Sequence, residues 1–297
     1  MLALLKSKKI IIIVLLILAI SIIIFSFIKN ETALTVLYHW WMVSIFKDYS
    51  DNHMFPLAYY GDIALPYVIK GTESKNQRLK EYSFEILSKM TGFETTEATR
   101  KHLLSFMLNI LKNDINSADR MFAAISIEAI KREKAIEDLH PYLYDKSDML
   151  KDGIALILAK YHQVEVIPQL IEILQVGLWL DKDALDKIGD RAKYVYLTLI
   201  DKPGNKLQGC TYSHTIERAH NLLFVLLGTS VSYNPNESLT KKEQAISKLE
   251  EWWQENNDYL YWSDKENHFV VNEEAKKAGI PTEEYRKTHP WPKENGK

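Results

Sequence analysis

The sequence predicts an all-α protein whose first helix spans a membrane. Three observations support this fold class: a long apolar run near the N-terminus, helical spacing of apolar residues through most of the remaining chain, and few turn residues. The 297 residues include only 11 glycines and 9 prolines, whereas a fold made of strands needs many tight turns. We therefore expect a transmembrane helix, then antiparallel helix pairs, then a small C-terminal helix and β-hairpin that cap them.

The apolar run extends from Ile10 to Ile28 and reads IIIIVLLILAISIIIFSFI. A helix of this length reaches about 28 Å, close to the hydrocarbon thickness of a bilayer. Lys6, Lys8 and Lys9 precede the run, and the positive-inside rule therefore keeps the short N-terminus in the cytoplasm. Residues 1–29 are predicted to be a cytoplasmic stub and a single-pass anchor in the cell membrane, with the main domain extracytoplasmic.

The main alternative for this run is a cleaved signal peptide, which has a shorter apolar core and ends in a small-x-small site. The only poor match, Ala19-Ile20-Ser21, lies inside the run and is followed by more isoleucines. The sole cysteine, Cys210, is far from any lipidation position. A buried helix of a soluble protein would show a polar face, and this run shows none at any helical period. The sequence therefore favours an uncleaved anchor.

Residues 30–53 form a predicted juxtamembrane aromatic helix. Its apolar segment, residues 33–46, is too short to span a bilayer again. Tyr38, Trp40 and Trp41 are typical of membrane–water interfaces, where the ring body contacts acyl chains and its polar edge contacts water. The alternative is that this segment is the first, lipid-proximal helix of the soluble domain. Both descriptions can hold together.

Composition limits the possible partners. The formal net charge of −2 creates no field that would attract nucleic acid or acidic polymers, so we expect no nucleic-acid partner. One cysteine cannot form an internal disulfide. The main domain is therefore expected to be stabilised by its apolar core without covalent cross-links.

Residues 54–230 carry apolar side chains at three- and four-residue spacing, with short polar breaks between the periodic stretches, as in consecutive helices. Ser74 and Gln77 match a capping box, and Ser147 is a candidate N-cap. The predicted helices cover residues 63–69, 77–90, 96–111, 118–131, 135–143, 148–161, 166–174, 190–200 and 215–227.

Small residues recur where the second helix of each pair would cross its partner, and a small side chain there allows close approach. These residues are Ser83, Ala123, Gly153, Ala192 and Ala219. The first helices contain Pro66, Pro141 or Pro168, and proline produces a kink or marks a first turn. The pattern therefore indicates repeated helix pairs.

This pattern resembles the HEAT-repeat family, whose units are two antiparallel helices with a proline in the first. The resemblance covers about two thirds of the chain, and the units are unequal, about 27 to 40 residues apart. The family's Asp and Arg ladder is matched only loosely, by Asp119-Arg120. The resemblance implies a right-handed α-solenoid with a concave binding face. The alternative is an irregular all-α domain without superhelical stacking.

Residues 240–297 are predicted to cap the helical array. A capping box at Thr240 begins a helix, and two aromatic and β-branched runs flank residues 263–267, which indicates a hairpin. Asn272 is expected to cap a short helix over residues 273–278. The module resembles a tail found on some bacterial HEAT-like proteins of unassigned role, and this resemblance implies no activity.

The aromatic residues of this module allow two interpretations. In the first, they cover the exposed end of the helical core, as the terminal unit of a solenoid must. In the second, Trp252, Tyr261 and Trp262 form an exposed aromatic platform that binds a glycan or a peptide.

Motifs for catalysis, metals and cofactors are absent from the sequence. It contains no phosphate-binding glycine loop, no Gly-x-Ser-x-Gly elbow and no His-Glu-x-x-His. His214 and His220 are six residues apart, which places them on different faces of a helix and disfavours a shared metal. Asp181-Lys182-Asp183 resembles the start of a calcium loop but lacks its glycine and distal glutamate. We expect no catalytic residue, metal or cofactor.

The sequence therefore favours a membrane-tethered, non-catalytic protein-interaction scaffold, which presents an α-solenoid surface to a protein partner on the extracytoplasmic side. The alternative function is a cell-envelope binding module that holds peptide or glycan on the aromatic C-terminal unit.

Overall fold

The computed structural model describes residues 31–93, 96–182, 184–191, 212–228 and 233–290. These residues are mostly helical and include one two-stranded sheet, as the sequence predicts. Within these ranges no helix is long and apolar enough to cross a membrane. The predicted anchor, Ile10 to Ile28, lies outside the described residues.

The chain divides into two compact units. The first contains Met1–Asp114 and Phe122–Arg132, and the second contains Ile115–Met121 and Glu133–Lys297. The helices of the first unit are α1 (Glu31–Ser44), α2 (Asp51–Tyr59), α3 (Gly61–Thr72), α4 (Gln77–Met90), α5 (Glu97–Asn113) and the larger part of α6 (Ser117–Lys131).

Polar side chains begin α4 and α5. Asn76 precedes α4, and its side-chain oxygen accepts hydrogen bonds from the backbone N–H groups of Arg78 and Leu79. The prediction of Ser74 as the cap was wrong, because its hydroxyl instead accepts a hydrogen bond from the N–H of Asn76. Thr96 caps α5 in the same way. Asparagine directly before the first turn satisfies two helix donors at once, which explains why it replaces the serine.

Gly71 on α3 permits close contact with α1 and α4. A Cβ atom at this position would overlap the Ser83 hydroxyl on α4 and would lie 2.6 Å from the ring of Trp40 on α1. Ser83 is fully buried and donates a hydrogen bond to the carbonyl of Leu79. A small residue therefore occupies this helix crossing, as the sequence predicts.

Among the described residues, the second unit contains the first residues of α6, seven further α-helices and a hairpin. The helices are α7 (Ile136–Leu139), α8 (Asp148–Leu158), α9 (Ile167–Asp181), α10 (Tyr212–Leu227), α11 (Leu239–Asn256), α12 (Glu273–Ala278) and α13 (Thr282–Thr288), and the strands are β1 (Leu260–Ser263) and β2 (His268–Val271). Short 3-10 turns cover Arg132–Ala135, His140–Tyr144, Ala159–Tyr161, Val164–Val166, Leu185–Lys187, Gly189–Arg191 and Asn257–Tyr259.

α9 is the central helix of the second unit. It packs against α8, α10 and α11, and its apolar residues are buried on most sides. A helix that is apolar all round is one that neighbours surround. The prediction that this helix ends at residue 174 was wrong, because Val176 and Leu178 continue the buried surface and the helix runs to Asp181.

Pro141 explains another difference from the prediction. Residues 135–143 were expected to form one helix, but the structure contains the short α7 followed by the 3-10 turn His140–Tyr144. Proline has no N–H and its ring clashes with the carbonyl four residues earlier, so a regular helix does not continue through it.

Several local predictions for the second unit are confirmed. Ser147 caps α8 by accepting a hydrogen bond from the N–H of Leu150, and Asn272 caps α12 in the same way. β1 and β2 form the predicted hairpin, with Trp262 opposite Phe269. The predicted capping box at Thr240 was wrong, because α11 already begins at Leu239 and Ser238 holds the N-cap position.

Replacing Gly71 by alanine tests the close contact in the first unit. The added methyl group forces Ser83 and the ring of Trp40 to move, so we expect Gly71→Ala to lower the free energy of unfolding by about 1–3 kcal/mol. Denaturant titration of the full chain in detergent, with hydrogen exchange of the α3 and α4 amides, measures the loss. Gly92→Ala is the matched control, since a Cβ there makes only an ordinary contact, 3.4 Å from the Lys89 carbonyl. Equal stability of the two variants would contradict the proposed packing.

Candidate functional site

α1 exposes a row of large apolar side chains. Leu34, Tyr38 and Trp41 lie on one face of α1, at spacings of four and three residues. Ile45 follows directly after the helix, where its N–H still bonds to the Trp41 carbonyl, and Phe46 lies beside Trp41. All five are exposed; Trp41 is 58% and Phe46 62% accessible to solvent. We refer to these five residues as the α1 stripe. It carries no charged side chain.

The other face of α1 packs into the first unit. Val36 and Val43 are fully buried, and Trp40 is half-buried with its ring 6.4 Å from that of Tyr67 on α3. Of the three aromatic residues predicted for the membrane interface, the structure therefore places Tyr38 and Trp41 together on the stripe and Trp40 away from it.

The prediction did not include the three remaining members of the α1 stripe, Leu34, Ile45 and Phe46. Their spacing relative to Tyr38 and Trp41 is visible in the sequence, so the helical period could have identified them. Which face of the helix is covered could not be read from the sequence, because both faces are apolar.

A chain of two histidines and an aspartate joins α1 to α2. His39 Nδ1 lies 2.8 Å from His53 Nδ1, and His53 Nε2 lies 3.0 Å from the Asp48 carboxylate. His53 is buried, and Tyr38 of the stripe contacts both imidazole rings edge-on. With both rings neutral, His53 donates from Nε2 to Asp48 and accepts at Nδ1 from His39.

The hydrogen bond between His39 and His53 persists only while at most one of the two imidazole rings is protonated. One additional proton is tolerated, because one ring can donate to the other, but two imidazolium rings have no lone pair left to share and repel each other. Burial and the charge of His53 lower the pKa of His39. The neighbouring Ser50 and the hydrogen bond from His53 lower the pKa of Asp48, which therefore stays ionised and holds the tautomer of His53.

The second unit contains a cavity of about 530 Å³, within the usual range of small-ligand sites. Trp253 on α11 forms one wall. The segments around α8 and α9 form the rest, with the polar residues Asp145, Lys151, Glu165 and Gln169 beside Leu143, Tyr144 and Pro168. No sequence motif identifies these residues, because they come from positions far apart in the chain.

Buried ion pairs support the cavity wall. Arg191 is 1% exposed, and its guanidinium binds both oxygens of Asp152 at 2.6 and 2.9 Å. It also contacts Glu172 at 2.8 Å and Asp148 at 3.5 Å. The arrangement satisfies a cation that would otherwise be costly to bury. Glu172 and the two aspartates belong to α9 and α8, so Arg191 joins the two helices that carry much of the cavity wall.

These carboxylates also position two residues of the wall. Lys151 is 2.8 Å from Asp148, and the Gln169 amide donates to Asp152 over 2.8 Å. Burial opposes the charge of Lys151, but the hydrogen bond and charge of Asp148 outweigh it and raise the pKa of the ammonium group above its usual value. Lys151 therefore remains a cation that is already paired.

The structure separates the three aromatic residues predicted as a binding platform. Tyr261 and Trp262 are consecutive in β1, so their side chains point to opposite faces. The Trp262 ring stacks on His162 with centroids 3.5 Å apart, and the Arg286 guanidinium lies over the Tyr261 ring at 5.3 Å. Trp252 is half-buried on α11. The neighbouring Trp253, rather than these residues, lines the cavity.

Within the described ranges, no group of three or more His, Cys, Asp or Glu side chains could hold a metal ion. Cys210 lies outside them. In the comparisons with known proteins, no family model, curated protein or solved structure matches this chain.

The histidine pair predicts a pH dependence of stability. Because the pKa of His39 is lower in the folded protein than its usual 6.5, the unfolded chain binds the proton more tightly. The contribution of His39 is therefore fully present above pH 6.5 and decreases as the pH falls below that value. We expect His39→Gln to reduce this decrease in denaturant titrations between about pH 5 and 8. His102→Gln, an exposed site in the same unit, should leave it unchanged; an equal effect of both variants would contradict the assignment.

Removing one partner of the buried ion pair tests the support of the cavity. Asp152→Ala leaves the Arg191 charge without its bidentate partner, so we expect a loss of about 3–5 kcal/mol in unfolding free energy. Glu172→Gln should cost less, since the side chain is partly exposed and the amide can still accept a hydrogen bond. Hydrogen exchange of the α8 amides reports the local effect. A similar loss in both variants would show that the Asp152 contact is not the dominant one.

Proposed function

We propose that this chain is a membrane-tethered, non-catalytic protein-interaction scaffold. Ile10 to Ile28 would anchor it, and its helical units would face a partner on the extracytoplasmic side. The observation that carries the proposal is the α1 stripe, which begins at Leu34, shortly after the apolar run. A helix that directly follows a membrane span stays close to the bilayer. Its exposed apolar face is stabilised there by a contact that removes it from water.

The chemistry of the α1 stripe favours the membrane–water interface as the surface that it contacts. Burial of apolar surface is favourable by about 25 cal/mol per Å², and five adjacent large side chains are unusual on the surface of a soluble monomer. Tyr38 and Trp41 have the amphipathic rings that are enriched at membrane–water interfaces. The opposite face of α1 packs against α2 and α3, with Trp40 beside Tyr67 and Gly71 of α3, so the helix can lie in the interface without losing its core contacts.

The scaffold part of the proposal is supported by the two helical units. Their described helices pack side by side and expose side-chain surfaces, and the near-neutral net charge favours recognition by shape and local contacts over long-range attraction. The resemblance to HEAT repeats supports the same role, since stacked helix pairs bind partners on extended surfaces. Lys6, Lys8 and Lys9 support the extracytoplasmic placement.

Tryptophan quenching tests the position of the α1 stripe. The full chain is reconstituted into vesicles whose lipids carry bromine near the headgroup end of the acyl chain. Because Trp41 is the tryptophan of the stripe, we expect the quenched fraction of emission to fall in Trp41→Phe. The matched control, Trp252→Phe, removes a half-buried tryptophan of the second unit and should leave the bilayer-quenched signal unchanged.

The anchor is tested separately by alkaline extraction of the vesicles. The full chain should remain in the membrane fraction, and a variant without residues 10–28 should be released. Unchanged quenching in Trp41→Phe would show that the α1 stripe does not lie at the bilayer interface. Release of the full chain by alkaline extraction would show that residues 10–28 do not anchor it.

A further inference from the structure

We propose that the cavity beside Trp253 binds a basic side chain, lysine or arginine, of a partner protein. This inference rests on the proposed interaction function and names the chemistry of the partner. It depends on features of the second unit alone.

Trp253 supplies an aromatic wall. The indole on α11 is half-buried and lines the cavity together with the polar residues. The face of an indole ring attracts cations more strongly than any other side-chain ring, and guanidinium groups stack on it readily. A ligand cation seated here would be held between an aromatic surface and carboxylates.

The two carboxylates that line the cavity differ in whether they already bind a cation. Asp145 already binds the Arg120 guanidinium through both oxygens, at 3.0 and 2.6 Å. Glu165 is exposed and forms no ion pair or side-chain hydrogen bond in the part of the chain that the structure describes. It is therefore the carboxylate that can bind an incoming cation without breaking an existing pair.

The surroundings favour a cation over an anion. Among the described residues that line the cavity, Lys151 is the one basic residue, and Asp148 already pairs with it. Behind the wall, Arg191 is surrounded by three carboxylates, so the acidic groups outnumber the basic ones. A phosphate or sulfate would meet an excess of negative charge, whereas an ammonium or guanidinium group would be attracted.

Two polar side chains of the cavity wall are already held in one orientation, which favours binding of a ligand. Gln169 is oriented by its hydrogen bond to Asp152 and Lys151 by its contact with Asp148. Side chains that are already ordered lose little entropy when a ligand binds. The cavity volume of about 530 Å³ exceeds what one side chain needs, so flanking backbone of the partner would also enter.

A pair of matched peptides tests the charge requirement. The full chain in detergent micelles is titrated with acetyl-Gly-Arg-Gly-amide and with the citrulline peptide, which replaces the guanidinium by an uncharged group of the same shape. We expect the arginine peptide to change tryptophan emission at millimolar concentration, with binding that weakens as salt is added. The citrulline peptide should bind about tenfold more weakly or not at all.

Substitutions in the cavity wall test whether the arginine peptide binds there. Glu165→Gln should weaken binding of the arginine peptide about tenfold, and Glu283→Gln, an exposed glutamate elsewhere in the unit, should not change it. Trp253→Leu should remove the fluorescence response, whereas Trp252→Leu should keep it. Because Glu165 is exposed, its replacement leaves the fold intact and the test stays decisive even if Trp253→Leu is unstable.

Three results would overturn the inference: no response to the arginine peptide, equal binding of the citrulline peptide, or unchanged affinity in Glu165→Gln. Binding of chitin or cell-wall oligosaccharides in place of the arginine peptide would identify a glycan site instead. Because this titration is done in detergent, its failure leaves the quenching of Trp41 in vesicles unaffected. The inference and the membrane proposal can therefore fail independently.

Discussion

A buried guanidinium organises the second unit. Arg191 is almost completely removed from solvent, and leaving its charge unpaired would cost several kcal/mol. Its partners Asp148, Asp152 and Glu172 belong to α8 and α9, so the ion pairs form only if these helices keep their present separation. The same carboxylates orient the polar wall of the cavity. Both the packing of α8 on α9 and the chemistry of the cavity therefore depend on one cation.

A different constraint governs the first unit, where one helix has two apolar faces and only one is covered. α1 buries Val36 and Val43 and presses Trp40 against Gly71. The histidine pair with Asp48 adds a polar connection to α2 at the edge of this contact. The other face remains available, and a lipid interface is the environment that accepts aromatic and aliphatic side chains without requiring a shaped partner.

The two candidate surfaces use opposite chemistry. The α1 stripe carries no charged side chain, which suits a fluid apolar environment. The cavity of the second unit combines one indole with fixed carboxylates, which suits a small charged group. Pattern and composition could indicate the stripe, since its members share a helical period. They could not indicate the cavity, since Asp145, Glu165 and Trp253 come from separate elements and no local motif connects them.

By itself the sequence determined the features that depend on neighbouring residues. These include the helices, the caps at Ser147 and Asn272 and the hairpin, because hydrogen bonds within a few residues specify them. Only the tertiary structure decided that Trp40 is covered while Trp41 is exposed. It also decided that Trp253 faces a cavity. Which face of a helix is buried depends on packing between segments that are distant in the chain, and local propensity carries no information about it.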